Sequence, residues 1–105
     1  MHRPTLWLSA LLIVAPASVT LAATAPDDAE IAAIVVAANQ VDIDAGNLAK
    51  TRAQAPDVRT LAERMVVDHT GVNRTAGELV QRLKVTPKPN ATSASLKQDG
   101  DANLR

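Results

Sequence analysis

Between Pro56 and Pro87 an apolar residue recurs every three or four positions: Val58, Ala62, Met65, Val72, Ala76, Leu79 and Leu83. Only His69, in the middle of the series, is not apolar. That interval is the repeat of a single helix face and fits no strand. Pro56 is tolerated in a first turn, and Asp57 beside it suits the positive end of the helix dipole. Pro87 and Pro89 forbid continuation, so the spacing predicts a helix over about 56–84.

The preceding segment repeats the pattern with Ile31, Ile34, Ala38, Val41, Ala45 and Leu48. Asp27 and Glu30 have capping-box spacing, which predicts a helix over about 28–53 ending near Ala53. Gly46 weakens this helix slightly but narrows one face for a close neighbour. The joint "QAPD" is short, so the two helices are expected as antiparallel neighbours. Each would be ~40 Å long at ~1.5 Å per residue. Zipping along one seam leaves other apolar flanks in water, so a second copy or a protein partner is expected to cover them.

Arg59, Glu63, Arg64, Asp68, Arg74, Glu78 and Arg82 mark the solvated face of the second helix, with Glu78 and Arg82 spaced as an ion pair. Residues 85–94 read as a polar linker. Ser95 and Gln98 have capping-box spacing, placing the start of a third helix over 95–105. Two Asn-x-Thr triplets, at Asn73 and Asn90, read as chance.

The first 22 residues have the three parts of a secretory signal peptide. Arg3 supplies the positive start, Leu6 to Val14 an apolar stretch, and Pro16 and Ser18 break it before the small residues. Thr20-Leu21-Ala22 suits signal peptidase, placing cleavage after Ala22 and the folded domain over 23–105. The apolar run falls short of the ~20 residues that a membrane span needs. With no twin-arginine pair, the general export route and a periplasmic or cell-envelope location are expected. Membrane contact would be peripheral at most.

Composition narrows the chemistry. The chain is 47% hydrophobic but 1% aromatic, and 11 basic side chains balance 11 acidic ones. Nothing in that balance favours nucleic-acid binding. The absence of cysteine excludes disulfides, thiolate metal sites, a cysteine nucleophile and a lipoprotein anchor. No phosphate loop, Ser-His-Asp set or HExxH helix is present. No catalytic, cofactor-binding or complete metal-binding set is therefore assigned, and no cofactor is expected.

His69 is the one titratable group on an apolar seam. A di-metal helical bundle wants Glu three residues before such a histidine, and Val66 stands there. Asp68 projects about 100° away around the helix. Asp42 flanks Val41 on the first helix and is the candidate partner for a polar core contact with His69. His69 as a metal ligand, or as a residue of a partner-binding face, are the other readings.

The stretch from Asn39 to Pro89 resembles the bacterial envelope family called domain of unknown function 4142. The matching positions are Asp42, Leu48, Ala49, Ala62, Met65, Asp68, His69 and Asn73. Asp42 stands where that family more often has Glu. The resemblance implies an exported, all-α, ferritin-like four-helix bundle, of which this chain would hold the antiparallel long-helix hairpin behind its signal peptide. It also implies a third helix and a fourth with a further acidic-to-His motif. The chain therefore reads as a fragment, a truncated frame, or a protein that completes its bundle by oligomerising. The function expected is a non-enzymatic structural or partner-binding role. The alternative is a ferritin-like metal-binding protein with His69 and Asp42 as part of its site.

Overall fold

The computed structural model describes residues 24–105. The signal peptide read over residues 1–22, and its cut after Ala22, lie outside the described residues. All regular structure among the described residues is helical: α1 (Asp28–Arg52), α2 (Pro56–Leu83) and α3 (Ala91–Asn103). None of these helices is long and apolar enough to cross a membrane.

The first helix begins as its sequence dictates. Asp27 accepts from the Glu30 backbone N–H at 2.8 Å, and Glu30 accepts from the Asp27 N–H at 3.0 Å. Three residues, Ala53 to Ala55, join α1 to α2, which starts on Pro56 at its first position. The hairpin is antiparallel, with Asp42 level with His69 and Gly46 level with Ala62 to Val66. α2 ends on Lys84 in the left-handed conformation (φ 54°), while the Val85 N–H reaches back to the Val80 carbonyl. A side chain in that conformation costs ~1–2 kcal/mol. Lys84→Gly is therefore expected to raise the unfolding free energy by roughly 1 kcal/mol, read as a higher denaturant midpoint.

The third helix starts four residues earlier than the Ser95–Gln98 spacing suggests. Asn90 caps it, accepting from the Ser93 N–H at 2.9 Å, and the Ser93 hydroxyl accepts from the Asn90 N–H at 2.9 Å. Pro89 holds the preceding chain extended, and Asn is among the strongest N-capping residues, so the helix starts at the first place it can. The linker is clipped to the start of α1. The Lys88 N–H donates to the Ala29 carbonyl at 2.9 Å, and its ammonium lies 3.5 Å from Glu30 and 3.7 Å from Asp27. The Glu78–Arg82 pair does not form. Glu78 turns to Arg74 at 3.5 Å instead, an equally spaced exposed partner one turn back.

α1 is the middle layer. α2 and α3 both pack on it and not on each other. Their contacts centre on Gly46 and Val41, five residues apart and so about 140° apart around the helix. This explains why α1 has no polar face: Ile31, Ile34, Val36 and Ile43 point to different sides of it. Both contacts depend on glycine as a missing side chain. A Cβ on Gly46 would sit 2.8 Å from Val66 Cγ2 and 3.1 Å from the Ala62 carbonyl oxygen. One on Gly100 would sit 2.7 Å from Val41 Cγ2. Gly100→Val is expected to release α3 while α1 and α2 stay paired. Amide hydrogen exchange would rise across Ala91–Asn103 and remain slow near Ala62.

The seam differs from the heptad read in the sequence. Ala62 is buried, with 2% of its surface exposed, but Val58, Val72, Leu79 and Leu83 are between 44% and 62% exposed. On α1, Ile31 of the predicted seam is exposed as well. Close approach at Gly46 draws α2 onto the Asp42–Gly46 line, part of a turn away from the apolar series. The large residues then look sideways, out of the hairpin.

Candidate functional site

The polar contact between the helices is built from one residue of each. His69 Nε2 lies 3.1 Å from Asp42 Oδ2, and His69 Nδ1 lies 2.8 Å from the Met65 carbonyl oxygen one turn back. A carbonyl oxygen only accepts, so Nδ1 carries the hydrogen. An ionised carboxylate also only accepts, so the ring that satisfies both partners is the doubly protonated one. A neutral ring keeps Nδ1–H on Met65 and turns the Nε2 lone pair toward Asp42.

The site is a boundary contact and not a core one. The side chains of His69 and Asp42 are 29% and 45% exposed. The structure therefore brings the two sequence-predicted residues together, but at the edge of the hairpin, where water screens them. An ion pair this exposed is worth under about 1 kcal/mol. A double-mutant cycle of Asp42→Ala and His69→Ala, read by denaturant unfolding, is expected to give a coupling energy below about 1 kcal/mol. A coupling several times larger would contradict the exposed geometry.

Asp68, the sequence neighbour, is occupied elsewhere, 3.4 Å from Arg64 on the outer face. Asn73, one turn beyond His69, has a buried Oδ1 atom with no hydrogen-bond partner among the described residues. Such an atom costs ~1–3 kcal/mol. Position alone identified Asn73 only as a family match; its helical offset of four from His69 was the available signal for a polar strip.

The 3.1 Å spacing of His69 Nε2 and Asp42 Oδ2 also matches two adjacent donors on one divalent cation, ~3.0 Å apart for bonds of ~2.1 Å. No third His, Cys, Asp or Glu joins them among the described residues. The pair supplies two of the four or more ligands such an ion takes.

Beside this contact runs an open apolar face. One groove along the hairpin is lined by Ala45, Ala49, Val58, Leu61 and Met65. The next, between α1 and α3, is lined by Val41, Ala45, Leu48, Gly100 and Leu104 together with the polar Asp42, Arg52 and Asn103. The two share Ala45 and Ala49, so they form one continuous surface on one broad side of the molecule.

An all-α hairpin with a third helix on its far side, and one Asp–His contact between the long helices, defines a small helical-bundle protein. The chain belongs to the family described as Domain of unknown function (DUF4142), whose sequence model matches residues 14–105. No curated protein and no solved structure matches it.

Proposed function

We propose that the protein is an exported, non-enzymatic component of the bacterial cell envelope, a helical scaffold whose open apolar face binds a protein partner. The leader pattern of residues 1–22 supports export, and the open face carries the functional reading. Val58, Leu61, Val72, Leu79 and Leu83 stay exposed along one helix, Leu79 and Leu83 lining a further apolar groove with Ile31 and Val35, and exposed apolar surface of that kind marks an interaction site. The Asp42–His69 contact serves as a register pin between the helices that present the face, a structural use of a polar pair.

The test is site-directed photocrosslinking in intact cells. A photoreactive residue at Leu79 should yield a protein adduct in the periplasmic fraction. The same residue at Val67, 70% exposed on the outer face, should not. Equal adducts at both positions, or none at Leu79, would remove the reading. Export is tested separately by N-terminal sequencing, which should begin at Ala23.

A second reading is a metal-binding protein of ferritin-like type. It is favoured by the cation-compatible spacing at Asp42 and His69 and by the Nδ1–Met65 anchor, which fixes the ring for coordination through Nε2. It requires stoichiometric metal in the protein as isolated, lost in His69→Ala. Elemental analysis finding none would end it.

A further inference from the structure

We infer that Asn73 is the third donor of a site for one divalent transition-metal ion, completing the pair formed by Asp42 and His69. The inference rests on the metal-binding reading and adds a ligand which that reading lacks. It starts from an atom without a use: Asn73 Oδ1 is buried and accepts no hydrogen bond from the described residues. Beyond Asp42, the next polar side chains of α1 toward its level are Gln40 and Asn39. They donate to Asp44 and to the Val35 carbonyl instead. Register places Asn73 beside the Asp–His contact. Asp42 touches His69 and Gly46 lies against Ala62 and Val66, so both contacts set the same alignment of the two helices. Asn73 continues the line of Ala62, Val66 and His69 at steps of four, three and four residues, the spacing of one helix face. Among the described helices only α1 packs on α2, so that line is the interface. Side chains on a helix lean toward its N-terminus. In an antiparallel pair, Asp42 therefore leans along α1 toward the level of Asn73, and Asn73 leans along α2 toward His69.

The chemistry of the three groups asks for a cation. With a neutral ring, the Nε2 lone pair faces an Asp42 oxygen at 3.1 Å, and both atoms are acceptors. The Asn73 amide oxygen is a third acceptor one turn along. A proton on Nε2 joins the first two and leaves the third unserved, whereas a metal ion can take all three. One imidazole nitrogen with two oxygens suits the divalent ions from Mn²⁺ to Zn²⁺ better than Ca²⁺ or Mg²⁺, which take oxygen sets. The Met65 carbonyl accepts from Nδ1–H and so presents Nε2 to the ion, the outer anchor that histidine ligands use. The remaining positions fall to water, which enters over the exposed side of Asp42.

The test titrates the full chain, as the cell processes it and stripped by chelator, with Co²⁺, whose visible absorption reports its ligands. Stoichiometric Co²⁺ is expected, displaced by Zn²⁺. His69→Ala should abolish binding. Asn73→Leu removes the unmet acceptor and should fold at least as firmly as the parent. It should nevertheless bind Co²⁺ at least ~10-fold more weakly, the smaller effect usual even for a group that only supports a metal ligand. Asn73→Asp keeps an oxygen at the same reach and should restore the affinity. A purely structural Asn73 would move the melt and leave the cobalt spectrum unchanged. Unchanged affinity in Asn73→Leu, with binding lost in His69→Ala, overturns the third donor and leaves the metal-binding reading standing. A parent chain that binds no Co²⁺ overturns both.

Discussion

Replacing Gly46 by valine is expected to cost about 2–3 kcal/mol, the upper range for an overpacked contact. The new side chain must displace Val66 Cγ2, 2.8 Å from its Cβ, and the Ala62 carbonyl oxygen at 3.1 Å. Val66 is β-branched and stiff at χ1, and the carbonyl belongs to α2 itself, so neither yields cheaply. A core whose buried apolar members among the described residues are Ala33 and Ala62 has little stability to lose, and domains this small rarely hold more than ~3–5 kcal/mol. Loss of the cooperative melt, followed by circular dichroism, is the expected result. Adding Val66→Ala to the same chain should restore part of it. Gly71 is the control: a Cβ there meets nothing within 4 Å, so Gly71→Ala should stabilise the helix by up to ~1 kcal/mol. Equal effects at both glycines would show that close approach at Gly46 is not what joins the helices.

The second large effect concerns concentration. Two long helices and a short third bury small side chains and leave the large ones in water, which offsets little of the chain entropy lost on folding. A single copy is expected to be marginal or molten, with its thermal midpoint rising as protein concentration rises. Differential scanning calorimetry over a wide concentration range checks this. A sharp melt of one copy, independent of concentration, would contradict it.

The parts of the fold legible in the sequence were those decided locally. Asp27 and Glu30 announce the start of α1, Pro56 the start of α2, and Pro87 the end of it, because capping and proline act within one turn. Asp42 could be paired with His69 because a short joint leaves one antiparallel register. The start of α3 is encoded locally too, since Asn90 and Ser93 have the same capping-box spacing as Ser95 and Gln98 and come first along the chain. What the sequence could not supply was azimuth. The apolar series tells that Val58, Leu79 and Leu83 share a side of α2. Only the contact at Gly46 tells that this side does not face α1. Gly100 was likewise silent, since nothing local says that a glycine near the end of a short polar helix will meet Val41.

The arrangement with α1 in the middle also sets an order of events. α1 and α2 are joined by three residues, so their pairing closes a short loop at little entropic cost. α3 must find α1 across the whole length of α2, a far more distant contact in sequence. That search shortens only when α2 has folded back and Lys88 has clipped onto Ala29, which delivers α3 to the side of α1 it needs. Hairpin formation is therefore expected to precede α3 docking, and unfolding to run in reverse. The polar third helix becomes the first element exposed to a protease while the hairpin still stands.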